Sequence, residues 1–291
     1  MKLLNALILG IVQGVTEFLP ISSSGHLSIA QNLLGLQVQE ADNVFFGVLL
    51  HLGTLAAVFV AYWGDIREMV LEFIQMIRDL REGNAPKKTP PARRLILLLV
   101  IGTLPLFLVL PIKRLVEGLH SNTYFVGGAL LVTGLLLFFC DRLRKGRKNE
   151  RNATIVDILV VGAGQAIATC PGISRSGMTI SMGCLRGFDR RFAVRFAFLL
   201  SIPAVLGANI LEVKDVVEAG IDPKMIPACL LGLAAAAVSG YLSIRLVRMV
   251  TDKGKFGAFA YYCWAVGALT IILSIFRALD LLPWLKAAAA V

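Results

Sequence analysis

Two related stretches decide the fold: QGVTEFLPISSSGH at residues 13–26 and PGISRSGMT at residues 171–179. Each lies in the middle of an apolar region, at about 3–35 and 154–187, and its Pro, Gly and Ser residues interrupt that region. Because Pro, Gly and Ser clusters mark turns, each region is expected to form a helix, a turn and a second short helix.

The second region is a copy of the first. An offset of 152 residues, without gaps, gives eight identities between positions 10 and 35: Gly10/Gly162, Gln13/Gln165, Ile21/Ile173, Ser22/Ser174, Ser24/Ser176, Gly25/Gly177, Leu33/Leu185 and Gly35/Gly187. Three long apolar segments follow each copy at similar spacing. The sequence therefore predicts one domain, residues 1–291, built from two repeats at about 1–145 and 146–291.

The composition requires a bilayer. Hydrophobic residues make up 57% of the chain and charged residues 16%, and the mean hydropathy is +0.75, which exceeds ordinary globular usage. Runs long enough to cross a membrane lie at about 44–63, 95–112, 123–140, 196–211, 226–244 and 257–276. The first 14 residues resemble a signal peptide but lack a small-residue cleavage site, so they are expected to be structural. The predicted class is an all-α polytopic membrane protein with six spanning helices.

Basic residues in the loops predict the topology. Seven lie between positions 64 and 94 and six between 141 and 153, so both loops should be cytoplasmic. Basic residues also flank the second broken region on both sides, which predicts a re-entrant hairpin from the cytoplasmic face. The first broken region has few basic residues beside it, which predicts a hairpin that enters from the opposite face. Three crossings per half make the repeats inverted, and the two turns should meet near the membrane midplane.

Other signals are weaker. The net charge of +10 sits in short loops rather than on one surface, so no nucleic-acid partner is expected. The five cysteines lack metal-ligand spacing and are expected to be packing residues. The stretch 66–82 has helical amphipathic spacing, which predicts a helix along the cytoplasmic interface. A helix in a solvated loop is the alternative.

The second motif has the residues of an anion site. Ser174, Arg175, Ser176 and Gly177 offer hydroxyls, a guanidinium and amides beside a helix start, which suit phosphate. Small residues that permit close helix packing are the alternative, but that reading does not account for the arginine.

The first motif has reactive groups. Gln13 and Glu17 share a helix face, and the hydroxyls of Ser22, Ser23 and Ser24 and the imidazole of His26 follow within ten residues. Opposite an anion-binding arginine, such a set indicates phosphoryl transfer or hydrolysis. A transporter or flippase that binds an anionic lipid or solute at the same midplane site stays open as the alternative. His51 in the first span is expected to have a hydrogen-bonded packing role; a position facing the cavity is the alternative.

At these motifs the chain resembles the bacterial undecaprenyl pyrophosphate phosphatases associated with bacitracin resistance. Residues 13–26 are similar to the family's Glu/Gln-rich motif with its serine–histidine extension, and residues 171–179 to its Pro-Gly-x-Ser-Arg-Ser-x-x-Thr motif. The resemblance covers essentially the whole chain. It implies a multi-pass protein of the cytoplasmic membrane that removes the terminal phosphate of a C55 isoprenoid pyrophosphate and so recycles the lipid carrier for peptidoglycan synthesis.

The resemblance also implies a divalent cation, Mg²⁺ or Ca²⁺, and a site open to the periplasmic side. It implies essential roles for Glu17, Ser23, His26 and Arg175, with Glu17 a candidate cation ligand. It further implies supporting roles at the site for Ser174, Ser176 and Thr179. Many members carry Glu where this chain has Gln13, which puts in doubt a charged role for that position.

Three attacking groups stay open at this point: Ser23, a water molecule and His26. The expected partners are the polyprenyl pyrophosphate and the surrounding bilayer lipids, and the sequence leaves a homodimer open.

Overall fold

The computed structural model describes residues 2–33, 36, 40–83, 88–143, 146–220, 222–253 and 256–279. Within these ranges the chain is helical and has no β-strand, apart from a single bridge between Lys148 and Phe188. Six helical segments there are long and apolar enough to cross a membrane. The predicted all-α class and the six spans are therefore confirmed.

The first half contains both a broken region and three spans. Its elements are α1 (Leu3–Phe18), α2 (Ser23–Asn32), α3 (Glu40–Ala61), α4 (Trp63–Glu82), α5 (Pro91–Thr103), a 3₁₀ helix (Leu104–Ile112), α6 (Lys113–Gly118), a 3₁₀ turn (Leu119–Ser121) and α7 (Thr123–Arg142). The predicted span at 95–112 is not one α-helix, because Pro105 and Pro111 remove backbone donors and the chain continues as 3₁₀ helix from Leu104.

The second half repeats the order of a broken region and three spans. Its elements are α8 (Ile155–Ile167), α9 (Arg175–Leu185), α10 (Arg190–Ala219), a 3₁₀ turn (Pro223–Met225), α11 (Ile226–Lys253) and α12 (Gly257–Ala278). Both broken regions thus form a helix, a turn and a short helix, as predicted. The two helices contact each other in each case.

Small residues let α1 approach α11 closely. A Cβ atom at Gly14 would meet Ser239 Oγ, the Ala236 carbonyl oxygen and the Gly240 amide nitrogen. Gly10, one turn earlier, faces the backbone of Gly232 in the same way. Small residues four apart are a common helix interface within membranes, where backbone packing replaces the hydrophobic effect.

An ion cluster joins the two ends of the second broken region. Asp157, in the first turn of α8 and fully buried, accepts from Lys148 Nζ at 2.7 Å and from Arg186 Nε at 2.8 Å. Arg186 directly follows α9, so the start of α8 and the end of α9 lie side by side. Burial raises the pKa of Asp157, but hydrogen bonds from Lys148, Thr154 and Arg186 outweigh it and lower that pKa well below its ordinary value.

The two short helices end at opposite ends of α7. On α2, Ser28 Oγ donates to the His120 carbonyl oxygen at 2.6 Å, just before α7 begins. After α9, Arg190 Nη2 donates to the Asp141 carbonyl oxygen at 3.0 Å, where α7 ends. The turns that precede α2 and α9 therefore approach each other between the two ends of α7.

Candidate active site

Glu17, next to the last residue of α1, is the centre of the first motif. Its side chain is 7% exposed. Ser23 Oγ donates to Glu17 Oε2 at 2.5 Å, and Gln13 Nε2 donates to the same oxygen at 3.2 Å. Arg175 Nη1 lies 3.7 Å from Oε1. The carboxylate thus brings together two predicted site residues of its own repeat and one of the other.

The core fixes the position of this carboxylate. Phe18, the neighbour of Glu17, is 2% exposed and packs edge-on against Phe198 of α10, with 5.4 Å between ring centroids. Tyr62 packs on the same phenyl ring. The last turn of α1 therefore cannot rotate without disrupting the core.

Ser22 makes the sharp turn into α2. Its φ of 73° is the one positive value at a non-glycine residue in the part of the chain that the structure describes, and such a conformation costs about 1–3 kcal/mol. Its Oγ accepts from the Gly25 amide at 3.2 Å and lies 3.3 Å from Ser24 Oγ. Ser22 is therefore the N-cap of α2, and Ser23 is left as its first residue with the hydroxyl on Glu17.

His26 has both ring nitrogens engaged. Nδ1 lies 2.7 Å from the Ser22 carbonyl oxygen, and because a carbonyl only accepts, Nδ1 carries a proton. Nε2 lies 2.9 Å from the hydroxyl of Tyr262 on α12. Within the described ranges, His26 makes no hydrogen bond to Glu17 or Ser23.

The second motif is anchored at the middle of α7. Thr133 Oγ1 donates to the Gly172 carbonyl oxygen at 3.0 Å and accepts from the Ser174 amide at 3.1 Å. Gly172 has φ 89°, and a Cβ atom there would lie 2.6 Å from the Val126 carbonyl oxygen. Only glycine fits this position. Ser174 Oγ then caps α9 by accepting from the Gly177 amide at 3.0 Å.

The two turns are in direct contact. Ser176 Oγ donates to the Leu19 carbonyl oxygen at 3.2 Å, and a Cβ atom on Gly25 would lie 3.1 Å from Gly172 Cα. Thr179 does not reach the other turn, because its Oγ1 donates to the Arg175 carbonyl oxygen at 2.8 Å. The repeats therefore meet through backbone and small side chains, as the sequence predicts.

Two helix N-termini converge at this contact, those of α2 at Ser23 and of α9 at Arg175. The first amides of a helix have no partner within it, and the helix dipole adds positive potential there. Arg175 Nη1 is buried without a hydrogen bond, and so is Gln13 Oε1. The arrangement offers amides and a guanidinium for an anion, next to a hydroxyl held by a carboxylate.

Three contributors were missed or undervalued by sequence reasoning. Tyr262 binds His26 from 236 positions away, and Thr133 orients the second turn. His51, for which a packing role was expected, lies on α3, which packs against α1, the helix that carries Glu17. Its Nδ1 donates to the Gly47 carbonyl oxygen at 2.9 Å. Nothing in the local sequence around Tyr262 or Thr133 points to the site.

The residues fit a divalent cation only if the substrate supplies further ligands. Among the described residues, no three His, Cys, Asp or Glu side chains cluster as a metal site. Glu17 and the unpartnered Gln13 Oε1 are the oxygen donors at hand. Mg²⁺ is commonly held by one or two carboxylates together with substrate phosphates, and this donor set matches that pattern.

Comparison with known proteins gives one consistent result. A family model described as bacitracin resistance protein BacA matches residues 6–269. An undecaprenyl-diphosphatase of Alkaliphilus metalliredigens is 42% identical over 276 residues, which cover 94% of this chain and 100% of that protein. Those of Methanosphaera stadtmanae and Halothermothrix orenii are 40% and 38% identical, over 94% of this chain and 99% of each relative. The chain belongs to the bacitracin resistance protein BacA family.

Proposed function

We propose that this protein is an undecaprenyl-diphosphatase, which hydrolyses undecaprenyl diphosphate to undecaprenyl phosphate and inorganic phosphate. The observation that carries the proposal is the short contact of Ser23 with the Glu17 carboxylate, placed between two helix N-termini and beside Arg175. An anion-binding transporter would have no need of a hydroxyl on a buried carboxylate. The names of the relatives favour the same activity.

Binding begins with the diphosphate at the contact of the two turns, and the isoprenoid chain stays among bilayer lipids. Arg175 and the first amides of α9 face the phosphate oxygens. The unpartnered Nη1 of Arg175 gains the acceptor that it lacks in the free protein. Ser174, Ser176 and Gly177 act indirectly, because their cap and turn contacts fix the start of α9.

Ser23 is the attacking group that the geometry favours. Its proton passes to Glu17 as Oγ bonds to the terminal phosphorus, and the bond from that phosphorus to the bridging oxygen breaks. Undecaprenyl phosphate leaves with the bridging oxygen, and a water molecule then hydrolyses the phosphoserine. His26 is less favoured, because the nitrogen that carries its lone pair, Nε2, lies against the hydroxyl of Tyr262 and not beside Glu17 or Ser23. It supports the turn through Ser22.

The leaving group is a phosphate monoester, which needs less protonation than an alkoxide. Neutralising the charge of the phosphates therefore matters more than general-acid catalysis. Arg175 and the two helix N-termini supply positive potential from the protein. A divalent cation, held by Glu17 and Gln13 Oε1, would neutralise further phosphate charge when bound.

We further propose that the broken regions are re-entrant hairpins of two inverted repeats. The side-by-side ends of α8 and α9 at Asp157 support an entry and exit on one face. The two short helices, α2 and α9, end at opposite ends of α7, which supports entry of the two hairpins from opposite faces. The anchor at Thr133 lies midway along α7. The basic loops favour an inner-membrane orientation with the first hairpin, and the site, open to the outer side.

A single chain can hold the complete site, because Glu17, Ser23, His26 and Arg175 all come from it.

Phosphate release tests the function directly. Purified protein in detergent should release inorganic phosphate from undecaprenyl diphosphate, and a chelator should abolish release until Mg²⁺ or Ca²⁺ is restored. Trapping of a phosphoserine at position 23 would separate serine attack from water attack. A folded protein that binds the lipid but releases no phosphate would favour the transporter.

A further inference from the structure

The feature that carries a further inference is α4 (Trp63–Glu82), which connects two spans and lies outside the active site. It follows the span that ends at Ala61 and precedes the span that begins at Pro91. With 20 residues it is about 30 Å long. Its outward side is unusually apolar for a connecting helix.

Ion pairs fix one side of α4 on the protein. Arg93, in the first turn of α5, binds Glu72 Oε1 at 2.7 Å and Asp79 Oδ2 at 2.5 Å. Arg195, near the start of α10, binds Asp65 at 2.5 Å. The inward side of the helix is therefore acidic, and its rotation about its own axis is determined.

The same contacts place α4 at the membrane surface. Arg93 and Arg195 lie near the starts of their spans, and Arg248, near the end of α11, donates to the Ala61 carbonyl oxygen at 2.8 Å. With α3, which ends at Ala61, four spans thus end or begin where α4 lies. A helix that crosses the ends of spanning helices runs along the boundary between acyl chains and headgroups.

The outward side of α4 combines an apolar surface with arginines. The exposed apolar residues are Trp63 (62%), Val70 (53%), Leu71 (57%), Phe73 (48%), Ile74 (44%) and Ile77 (38%). Arg67, Arg78 and Arg81 are exposed at the two ends of this surface. No ion pair of the described residues uses any of the three. Glu68 and Glu82 are also exposed, on the flank of the helix.

We propose that the outward side of α4 is a docking surface for anionic phospholipids. The apolar residues enter the upper acyl region, and the guanidinium groups of Arg67, Arg78 and Arg81 bind lipid phosphates. A second protein copy would be a poorer partner, because the copy's own α4 has three of its acidic residues, Asp65, Glu72 and Asp79, bound to the protein. Only Glu68 and Glu82, on the flank, could pair with the three arginines. A solvated helix would leave the apolar residues in water.

Trp63 provides a probe inside this surface. In a W264F/W284F background it is the only tryptophan of the chain, and its fluorescence can be quenched by dibrominated acyl chains in lipid nanodiscs. Nanodiscs with dibrominated phosphatidylglycerol are compared with nanodiscs that contain the same fraction of dibrominated phosphatidylcholine. Phosphate release in the same background verifies the fold.

The test substitutes the three arginines together, as R67Q/R78Q/R81Q. A basic residue at an anionic surface favours contact by about fivefold, so brominated phosphatidylglycerol should quench Trp63 more strongly than phosphatidylcholine. In the triple variant, the ratio of quenching by brominated phosphatidylglycerol to quenching by brominated phosphatidylcholine should fall to near one. A control variant of equal charge change, K113Q/K214Q/K224Q, alters one half-buried and two exposed lysines on other elements. It should keep the wild-type ratio of quenching by the two lipids.

Three results would overturn the proposal. Equal quenching by the two lipids in the wild-type protein would remove the anionic preference. An equal loss of preference in the lysine control would mean that the anionic preference follows from the net charge of the protein and not from the arginines of α4. Absence of quenching by both lipids would mean that water or a second copy covers α4, and cross-linking of a Val70→Cys variant would then identify the copy.

Discussion

The contact of Ser23 with Glu17 makes a quantitative prediction. At 2.5 Å it has the length of a charge-assisted hydrogen bond between a hydroxyl and a carboxylate. Glu17→Gln keeps the shape of the side chain but removes the base and the countercharge 3.7 Å from Arg175. General-base catalysis contributes about 10²- to 10⁴-fold, or about 2.7 to 5.4 kcal/mol. We therefore expect kcat for phosphate release to fall by that factor.

The double variant tests whether the two residues act as one unit. Ser23→Ala removes the group that Glu17 deprotonates, so Glu17→Gln should cost little more once Ser23 is absent. We expect the double variant to be no more than a few-fold slower than the slower single variant. The assay is the initial rate of phosphate release from undecaprenyl diphosphate in detergent, with kcat and KM determined separately.

Ser28→Ala is the matched control for the loss of a hydroxyl. Ser28 lies on the same helix and is buried, but its Oγ donates to the His120 carbonyl oxygen, away from the site. Its substitution should reduce stability by about 1 kcal/mol and leave kcat within a few-fold of wild type. Losses that multiply in the double variant of Glu17 and Ser23 would refute the proposed coupling.

Four further predictions concern the anchor, the packing and the electrostatics. Arg175→Lys keeps the charge but loses the planar donor pair, so it should lose at least tenfold in kcat/KM while retaining more activity than Arg175→Ala; equal activity of the two variants would contradict this. Thr133→Val is isosteric but leaves the Ser174 amide without an acceptor, so activity should fall more than Tm does; unchanged kcat would count against a positioning role. Gly14→Ala places a Cβ against three α11 atoms and should lower Tm by several degrees, whereas Gly47→Ala, where a Cβ meets nothing within 4 Å, should not; similar shifts would argue against tight α1–α11 packing. Asp157→Asn should cost about 1–3 kcal/mol of stability at neutral pH; because the folded pKa of Asp157 is depressed, this contribution is present above about pH 4 and lost as pH falls through the folded value, and a pH-independent difference would disprove it.

Local sequence was sufficient for the six spans and the two broken regions of this fold. The apolar runs predict the six spans, and the Pro, Gly and Ser clusters predict both breaks, because these signals depend on neighbouring residues. The internal repeat and the basic residues of the loops together predict that the two turns meet. The change to 3₁₀ helix at Leu104 was missed, although Pro105 and Pro111 are visible in the sequence, because prolines are common in spanning helices and need not end them.

Contacts between distant segments could not be predicted in the same way. Tyr262 reaches His26 from α12, and Thr133 reaches the second turn from α7. Both depend on how spans pack side by side, which hydropathy does not specify. The packing of α3, which carries His51, against α1 has the same origin.

The repeated positions explain why the two halves of the site differ. Ser22 and Ser174 occupy matching positions and have the same role as helix caps. Each side-chain oxygen accepts a hydrogen bond from the amide of the glycine three residues later, at 3.2 Å and 3.0 Å. Ser24 and Ser176 lie at matching distances from these caps, 3.3 Å and 3.2 Å. The position between them is Ser23 in one repeat and Arg175 in the other. The shared residues therefore build two equivalent helix starts, and the residue between them gives one start a hydroxyl on a carboxylate and the other a guanidinium.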